Sequence, residues 1–231
     1  MSWREEAKKR AAVEAVKHVK NGDVIGLGTG STAAYAIKEI CRRIAEEQLR
    51  VLGVPTSHRA ALLASDCGIP LTTLDQHPVL DLDIDGADQI DPELNLIKGK
   101  GGALTKEKVV AAVSKQFIVV ADETKLTDAL GKKQLLPVEV LPFAVSLAKS
   151  KIRAIGGQPV LRKKEDNSGP YVTDNGNFIL DVDFGVIEDP YQLQQQLKVI
   201  PGVVETGLFL GMANIAYIGT KTNLNVMKRT R

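Results

Sequence analysis

The sequence has few cysteines, few aromatic residues and little net charge, and each shortage excludes a class of protein. Two cysteines among 231 residues cannot form a disulfide-rich framework or a cysteine-only zinc site. Aromatic residues make up 4% of the chain, too few for a surface that stacks nucleic-acid bases. A net charge of +2 gives no reason to expect nucleic acid or a membrane surface as a partner.

Long apolar runs are also missing. No run reaches the roughly 18 residues of a membrane span, and the charged residues 1–10 lack the apolar stretch of a signal peptide. Hydrophobic residues nevertheless make up 44% of the chain and charged residues 25%, which is typical of a globular protein. We therefore expect a soluble, cytoplasmic protein with a substantial core.

Helix and strand patterns alternate through the first half of the chain. Helical spacing of apolar residues marks segments 4–20, 32–47, 57–67 and 105–115. Short apolar runs typical of buried strands lie between them, at 23–27, 51–54, 80–84 and 117–121. This alternation predicts an α/β fold with a doubly wound parallel sheet.

The pattern changes after about residue 130. Residues 136–143 alternate and carry two prolines, and Asp174-Asn175-Gly176-Asn177 is a strong turn signal between two strand-like runs. A helical segment follows at 189–198. The sequence thus predicts a smaller α+β domain at 131–203. It leaves open whether the tail, with strand-like pieces at 205–210 and 215–219, rejoins the first sheet.

Four polar segments could carry chemistry, and the first is Gly26-Leu27-Gly28-Thr29-Gly30-Ser31-Thr32, between a predicted strand and a predicted helix. Its small residues, its hydroxyls and the following helix N-terminus suit a phosphate-sized anion. An ordinary tight turn is the alternative. The lysine of a P-loop is missing, and Ser31 stands where a dinucleotide fingerprint has its last glycine.

The second segment is Asp85-Gly86-Ala87-Asp88, at the end of an apolar strand. Two carboxylates around a Gly-Ala turn could act as acid and base, bind sugar hydroxyls or bind a metal. A turn with solvated acids is the alternative. For Asp81 and Asp83, on the same strand face, we expect a solvated or edge-facing position.

The third segment runs from Lys98 through a glycine-rich loop into a helix that carries Glu107. A lysine near developing negative charge and a glutamate as proton acceptor suit removal of a proton next to a carbonyl. Glu107 could instead complement the helix dipole or lie on a solvated charged face. Folding alone gives no reason for the three glycines.

The fourth segment, Asp122-Glu123-Thr124-Lys125, follows the 117–121 strand and could place Lys125 at the same edge of the sheet. The three histidines have no ligand spacing, so no metal site is predicted. Cys41 and Cys67 have the pattern of structural thiols. The basic cluster Arg162-Lys163-Lys164 is typical of a solvated face.

In their order and spacing, these segments resemble the ribose-5-phosphate isomerase A family. The matching segments are Gly28-Thr29-Gly30-Ser31-Thr32, Asp85-Gly86-Ala87-Asp88, Lys98-Gly99-x-Gly101, Glu107, Asp122-Glu123-x-Lys125, Leu136-Pro137-Val138-Glu139-Val140, Thr173-Asp174-Asn175-Gly176-Asn177 and Ile200-Pro201-Gly202-Val203-Val204. The resemblance covers nearly the whole chain. Gln89, where many members have glutamate, and Lys100, often glycine, depart from the family pattern.

The resemblance implies interconversion of D-ribose 5-phosphate and D-ribulose 5-phosphate through an enediolate, with neither metal nor cofactor. By position, Glu107 would be the base and Lys98 would hold the enediolate charge. Asp85 and Asp88 would bind or protonate sugar oxygens, with Asp85 assisting ring opening. The phosphate would be held by Thr29, Gly30, Ser31, Thr32, Lys125 and Lys8. The expected substrate-binding loops also include Gly86, Ala87, Gly99, Lys100 and Gly101.

The family also implies a Rossmann-like main domain, which we assign to residues 1–130 plus 204–231, and a homodimer or homotetramer. Two other classes of function remain open from the sequence. One is a module that binds a sugar phosphate as a signal, since fold does not fix function. The other is a CoA-transferase-like enzyme with a glutamate nucleophile on a related fold.

Overall fold

The structure is a computed structural model that describes residues 2–229. Within these residues the helices are α1 (Trp3–Val16), α2 (Ala33–Glu47), α3 (His58–Asp66), α4 (Leu104–Val113), α5 (Val145–Ala154) and α6 (Pro190–Lys198). The strands are β1 (Val24–Leu27), β2 (Leu52–Pro55), β3 (Leu82–Gly86), β4 (Gln89–Ile90), β5 (Leu96–Ile97), β6 (Phe117–Asp122), β7 (Leu136–Val140), β8 (Gln158–Leu161), β9 (Phe178–Asp183), β10 (Val203–Thr206), β11 (Leu208–Phe209), β12 (Ile215–Gly219) and β13 (Leu224–Lys228).

Contacts within the chain divide it into two compact units. Unit 1 holds the described residues of Met1–Ala87, Lys106–Lys125 and Gly211–Arg231, and unit 2 holds Asp88–Thr105 and Leu126–Leu210. Residues 88–105, 126–130 and 204–210, which we assigned to the larger domain, are in unit 2. Their short strands pair with one another and with β7. The predicted domain boundaries, as limits of independently folding parts, stay a prediction.

Unit 1 contains a six-stranded sheet in the order β13-β12-β6-β3-β1-β2. Its strands are parallel except for β13, which forms an antiparallel edge beside β12. The tail therefore rejoins this sheet, and the predicted doubly wound parallel arrangement is confirmed. The strand order reverses between β1 and β3. In such sheets ligands bind beyond the carboxyl ends of the strands at this reversal.

The first helix lies unusually close to the sheet of unit 1. α1 packs on β6 and β12 through a face of small side chains, and Ala7, Ala11 and Ala15 are fully buried there. A Cβ on Gly219 in β12 would overlap the backbone carbonyl group of Ala7, so only glycine allows this approach. The position of α1 is therefore set by backbone contact as well as by side-chain packing.

A disulfide bond joins Cys41 in α2 to Cys67, the residue that caps the C-terminus of α3. The prediction of two separate structural thiols was wrong. The two helices pack against each other in unit 1 and bring together cysteines 26 positions apart. Neither helix pattern by itself contains information about this pairing.

Unit 2 contains two antiparallel sheets, one of four strands in the order β10-β7-β9-β8 and one of three in the order β11-β5-β4. This is the smaller α+β part that the sequence predicts. The predicted strand at 205–210 is divided between these sheets, because β10 pairs with β7 and β11 pairs with β5. α5 and α6 pack on β8 and β10.

A fully buried glutamate, Glu139, lies in the middle of β7. Its carboxylate accepts hydrogen bonds from the Thr105 hydroxyl (2.6 Å), the Thr173 hydroxyl (2.9 Å), and the side-chain amides of Asn175 (3.0 Å) and Asn177 (2.9 Å). Four donors compensate the cost of burying this group. They also fix the predicted turn at 174–177, which the structure confirms, to the strand and to the first turn of α4.

The helices and parallel strands predicted in the first half all exist, with bounds that differ by a few residues. The largest difference is at the end of α1, which stops at Val16 rather than at residue 20. In the part of the chain that the structure describes, no helix is both long and apolar enough to cross a membrane.

Candidate active site

The loop after β1 is fixed to the end of β3 within unit 1. The backbone N–H of Thr29 donates to Oδ1 of Asp85 at 2.9 Å, and Asp85 is fully buried. A Cβ on Gly28 would overlap the Asp85 carboxylate, so glycine is required at this position. The structure thus brings together two of the predicted segments at the point where the strand order reverses.

Hydroxyl groups surround Thr29. Its hydroxyl donates to Oγ of Ser57 at 2.7 Å and lies 2.7 Å from Oγ1 of Thr56. Ser57 also caps α3 by accepting from the backbone N–H of Ala60. Thr56 and Ser57 were not predicted as site residues, although they follow β2 directly. Their place at the carboxyl end of a parallel strand was the signal that could have identified them.

Lys8, which has no signal in the sequence, reaches the same loop. Its Nζ donates to Oγ of Ser31 at 3.1 Å and to Oε1 of Glu5 at 2.7 Å. The hydroxyl of Tyr35 donates to the other oxygen of Glu5 at 2.7 Å. These hydrogen bonds, first that of Lys8 and then that of Tyr35, lower the pKa of Glu5. Glu5 therefore orients the ammonium group of Lys8 toward the loop.

The remaining predicted residues of this loop lie at the start of α2. Thr32 is buried and takes the N-cap position, and Gly30 has a φ of +115°, a conformation that favours glycine. The carbonyl of Gly30 accepts from the backbone N–H of Ala34, so the loop leads directly into the helix. Backbone N–H groups at a helix start, hydroxyls and a lysine are the groups that bind a phosphate.

The acidic residues in β3 and directly before it differ in their surroundings. Asp85 accepts from the N–H of Gly86 at 2.6 Å as well as from the loop. Asp81 forms an ion pair with Lys115 (2.7 Å), and this contact, followed by the N–H of Val24, lowers its pKa. The expectation of a solvated or edge position holds for Asp81. It was wrong for Asp83, which is fully buried because both faces of β3 are covered.

Glu107 lies in the first turn of α4 and is 3% exposed. This burial excludes the solvated charged face that the neighbouring lysines allowed as an alternative. A carboxylate with little water around it is a stronger base toward a bound substrate than an exposed one. Glu107 is therefore placed in a chemical environment that suits proton transfer.

The fourth segment follows β6, the neighbour of β3 in the sheet. Asp122 is buried and accepts hydrogen bonds from the N–H and the hydroxyl of Thr124. Thr124 lies in a short 3-10 turn that ends at Lys125. Glu123 accepts from the N–H of Lys221 at 3.0 Å. The half-buried Lys125 thus stands at the carboxyl end of a central strand, as the sequence predicts.

In unit 2, Asp88 is joined to the loop that follows Lys98. Its N–H donates to the carbonyl of Ile97 (2.8 Å), and its Oδ2 accepts from the N–H of Lys100 (2.9 Å). Gly86 and Ala87 link Asp88 to Asp85 along the chain. Asp88 and the exposed Lys100 line a cavity of about 300 Å³ in this unit, together with Gln134, Leu135, Pro137, Arg162 and Asp181.

Lys98 is 2% exposed, and its ammonium group lies 5.4 Å from the centre of the Phe209 ring. Its backbone N–H donates to the carbonyl of Gly207 at 2.9 Å. An ammonium group buried beside an aromatic ring interacts more strongly with a nearby negative charge than it would in water. The sequence identified Lys98 but not Phe209.

The glycines after Lys98 have structural reasons that the sequence did not reveal. Gly99 and Gly102 have φ angles of +100° and +82°. A Cβ on Gly99 would lie 2.9 Å from Cβ of Leu104, and one on Gly102 would overlap the Tyr171 ring. Gly101 is exposed, and its carbonyl accepts from the Tyr171 hydroxyl at 3.2 Å. The statement that folding gives no reason for these glycines was therefore wrong for Gly99 and Gly102.

The basic cluster at 162–164 was also interpreted wrongly in part. Lys163 and Lys164 are exposed, but the Arg162 side chain is only 14% exposed and pairs with Asp181. The fold brings together residues on two neighbouring strands of unit 2, and a local charge pattern does not show this. Within residues 2–229, no group of three or more His, Cys, Asp or Glu side chains is placed to hold a metal ion.

A family model and several known proteins with similar sequences and structures point to one family. The family model described as ribose 5-phosphate isomerase A (phosphoriboisomerase A) matches residues 52–223. The chain is 55% identical over 214 residues to ribose-5-phosphate isomerase A of Methanosarcina acetivorans, which covers 93% of this chain and 90% of that protein. It is 49% identical over 221 residues to the protein of the same name from Methanothermobacter thermautotrophicus, covering 96% and 97%.

Two solved structures are similar over almost the full length. A D-ribose-5-phosphate isomerase in complex with phospho-erythronic acid matches with a TM-score of 0.96 and 43% identity, covering 99% of this chain and all of that one. The ribose 5-phosphate isomerase A from Methanocaldococcus jannaschii matches with a TM-score of 0.93 and 46% identity, covering 97% and 99%.

Proposed function

The chain belongs to the ribose 5-phosphate isomerase A family, and from this premise we propose the roles of its own residues in the reaction. The protein is an aldose–ketose isomerase that interconverts D-ribose 5-phosphate and D-ribulose 5-phosphate in the pentose phosphate pathway. The match to isomerases along nearly the whole chain is the observation that carries this conclusion. The sensor and CoA-transferase alternatives are therefore set aside.

Glu107 is the base in this proposal. Its carboxylate takes the proton from C2 of the open-chain aldose, which leaves an enediolate, and returns that proton to C1 of the ketose. The hydroxyl proton on O2 is transferred to O1 in the same conversion, so the reaction needs no net proton and no electron acceptor. The burial of Glu107 in the first turn of α4 supports this role, because little water competes for its proton.

Lys98 holds the negative charge of the enediolate. The charge develops on the sugar oxygens only as the C2 proton leaves, so a fixed cation there stabilises the transition state more than the bound sugar. The support is that Lys98 is almost fully buried, where such an interaction is strongest. The loop residues Gly99, Lys100 and Gly101 are assigned to the substrate-binding surface that follows it.

Asp85 and Asp88 bind sugar hydroxyls, and Asp85 assists ring opening by taking the proton of the anomeric hydroxyl on C1 and delivering it to the ring oxygen as the bond from C1 to that oxygen breaks. The two backbone N–H groups on Oδ1 of Asp85 keep its carboxylate in one orientation. Asp88 is held to the N–H of Lys100 in a comparable way. Gly86 and Ala87, between the two acids, complete this part of the binding surface.

The phosphate binds to Thr29, Gly30, Ser31 and Thr32, with Lys8 and Lys125 supplying positive charge. Lys8 already contacts Ser31, and the loop opens α2. The phosphate is remote from C1 and C2, so its binding energy can position the reacting carbons at the base. The relative in complex with phospho-erythronic acid supports a phosphorylated substrate of this size, since that compound also carries a phosphate and polar oxygens on a short carbon chain.

Replacement of Glu107 tests the base assignment. We expect Glu107→Gln to lower turnover of ribose 5-phosphate on the order of 1,000-fold and to abolish exchange of the C2 hydrogen with deuterium oxide. The exposed Glu165→Gln serves as the matched control and should keep wild-type rates. If the Glu107 variant isomerised and exchanged hydrogen within threefold of wild type, the base assignment would be wrong.

We further propose that the enzyme acts in the cytoplasm without a cofactor, as a homodimer or homotetramer. A phosphorylated sugar is charged and does not cross a bilayer, so the enzyme belongs where such sugars are made. Large apolar side chains that are exposed in unit 2, above all Phe143 and Val199, support self-association. Sedimentation equilibrium should show a dimer or tetramer, and a monomer at assay concentration would contradict the proposal.

A further inference from the structure

Arg162 binds the backbone of the loop that follows Lys98. Nη1 of Arg162 donates to the carbonyl oxygens of Gly99 and Lys100, both at 3.0 Å. Nε and Nη2 of the same guanidinium donate to the two carboxylate oxygens of Asp181, with the Nε contact at 2.8 Å. Arg162 is therefore bound on one side by a carboxylate and on the other by two consecutive peptide groups, all within unit 2.

Strand pairing and side-chain contacts hold Arg162 in place. Arg162 follows β8, and its backbone N–H donates to the carbonyl of Ile179 in the neighbouring strand at 2.9 Å. Asp181 lies in β9, two residues farther along. The guanidinium carbon is also 5.9 Å from the centre of the Tyr171 ring, whose hydroxyl contacts the loop at Gly101. Strand pairing thus holds Arg162 in place, and its guanidinium group is oriented toward the loop.

The peptide group between Gly99 and Lys100 is held from two opposite sides. A trans peptide directs its carbonyl and its N–H in opposite directions. The carbonyl accepts from Arg162, and the N–H donates to Oδ2 of Asp88 at 2.9 Å. A rotation of this peptide would therefore break both contacts together. Because glycine imposes almost no conformational preference, the loop depends on such external contacts.

We propose that Arg162, oriented by Asp181, is a positioning residue for catalysis that fixes the loop carrying Lys98 and orients Asp88. This inference rests on the proposed roles of Lys98 and Asp88. Arg162 acts through the peptide groups of Gly99 and Lys100 and does not itself contact the sugar. Arginine is required because its planar group presents several donors at once, whereas lysine presents a single ammonium group.

Kinetics of Arg162 variants test the proposal. We expect Arg162→Met and Arg162→Lys to lower kcat by about 10- to 100-fold while KM for ribose 5-phosphate changes less than threefold. Asp181→Asn, which leaves the arginine without its ionic partner, should lower kcat by a smaller factor. The exposed Lys164→Met removes a charge two residues away and is the matched control, with wild-type kinetics expected.

Rescue distinguishes lost positioning from lost folding. Added guanidinium ion at low millimolar concentration should restore part of the kcat of Arg162→Ala and leave the wild type and the Lys164→Met control unchanged. Circular dichroism and thermal unfolding of each variant identify any that do not fold. If folded Arg162→Met kept kcat within threefold of wild type, or if Arg162→Lys were fully active, the proposal would be overturned.

A double-mutant cycle separates this inference from the proposed function. With Lys98→Met as the background, adding Arg162→Met should cost several-fold less than it costs in the wild type, because one of the two groups that Arg162 positions is already absent. Additive losses would show that Arg162 acts independently of Lys98 and would overturn the inference. If Lys98→Met alone were as active as wild type, the assigned role of Lys98 would fail instead, whatever the arginine variants show.

Discussion

The molecule has two glycine loops with related tasks but different means of support. The first glycine loop, Gly28–Thr32, follows a parallel strand and opens a helix, and its main external contact is with Asp85 on the adjacent strand. The second glycine loop, Lys98–Gly102, is held by Arg162 and Tyr171, which lie more than 60 positions away. Both loops use contacts distant in sequence, but the first loop takes its main contact from the strand next to β1 in the same sheet, whereas the second takes its contacts from side chains outside the sheet of β5.

This difference indicates which of the two loops has a geometry that is sensitive to substitution. In the first loop, regular structure supplies most of the order, so only close contacts such as that of Gly28 are critical. In the second loop the backbone has two positive φ angles and gains its order from hydrogen bonds to neighbouring strands of unit 2. We therefore expect kcat to fall strongly when a residue that holds the second loop from outside is replaced. We do not expect such a fall for the residues that only support the first loop. The predictions below are ordered by their expected effect on catalysis.

Among variants in and around the two glycine loops, the largest effect is expected at Lys98. Lys98→Met should lower kcat on the order of 100- to 1,000-fold with a small change in KM, because the lysine interacts mainly with charge formed in the transition state. Lys133→Met, an exposed lysine of the same unit, is the control. Steady-state kinetics in both directions of the reaction measure the effect. A rise in KM with kcat preserved would assign Lys98 to ground-state binding.

Gly28→Ala probes the closest contact of the first glycine loop. The added Cβ must displace Asp85, so we expect a loss of kcat/KM on the order of 100-fold and a destabilisation of about 2 kcal/mol. Gly22→Ala is a useful comparison, since that glycine has positive φ but open space around its Cβ. Urea unfolding and kinetics together decide the matter: a fully active Gly28→Ala would show that the two segments tolerate separation.

Lys8→Met should mainly weaken phosphate binding. We expect KM for ribose 5-phosphate to rise about tenfold and kcat to change little, since Lys8 contacts the first glycine loop at Ser31. Lys9→Met, at the exposed neighbouring position, should leave KM unchanged. Inhibition by inorganic phosphate provides a second readout and should weaken in parallel. An unchanged KM would remove Lys8 from the phosphate site.

Tyr171→Phe should have a smaller effect, in the second glycine loop. It removes one hydrogen bond, to the carbonyl of Gly101, and keeps the ring against Gly102 and Arg162. We expect a two- to fivefold lower kcat and a loss of about 1 kcal/mol in unfolding free energy. An effect as large as that of Arg162→Met would mean that the loop is held chiefly by the tyrosine hydroxyl.

The smallest effect on catalysis is expected at the disulfide bond, which gives a baseline for the other variants. Replacing Cys41 and Cys67 with serine should lower the unfolding free energy by about 3 kcal/mol and leave kcat and KM unchanged. The oxidised wild type, unfolded in the absence of reductant, is the reference. Reduction of the wild type should give the same loss of stability, and a changed KM would link this bond to the first glycine loop.

The sequence predicted the parts of the fold and site that depend on local patterns. Apolar runs placed β1, β3 and β6, and the polar residues that follow them, Thr29, Asp85 and Lys125, stand at the carboxyl ends of those strands. This succeeds because parallel strands align their ends whatever their order. The reversal of strand order between β1 and β3 then places Thr29 beside Asp85.

The residues that the sequence missed depend on tertiary contacts. Arg162 has the charge pattern of a surface residue and becomes a structural group only when β8 and β9 pair. Cys41 and Cys67 lie on helices whose patterns do not specify which helix packs on which. Asp83 alternates correctly with its neighbours, but the sheet is covered on both faces, so alternation does not predict exposure.

Lys8 has the least local signal of any residue in the proposed site, yet its place is determined by the last strands of the chain. Ala7 precedes Lys8 in α1, and the carbonyl group of Ala7 packs directly against Gly219. A helix held by its backbone cannot slide to accommodate a larger residue there. The position of α1 therefore depends on that of β12, the strand beside the antiparallel edge. We therefore expect a side chain added at residue 219, far along the sequence from Lys8, to change the affinity of the protein for phosphate.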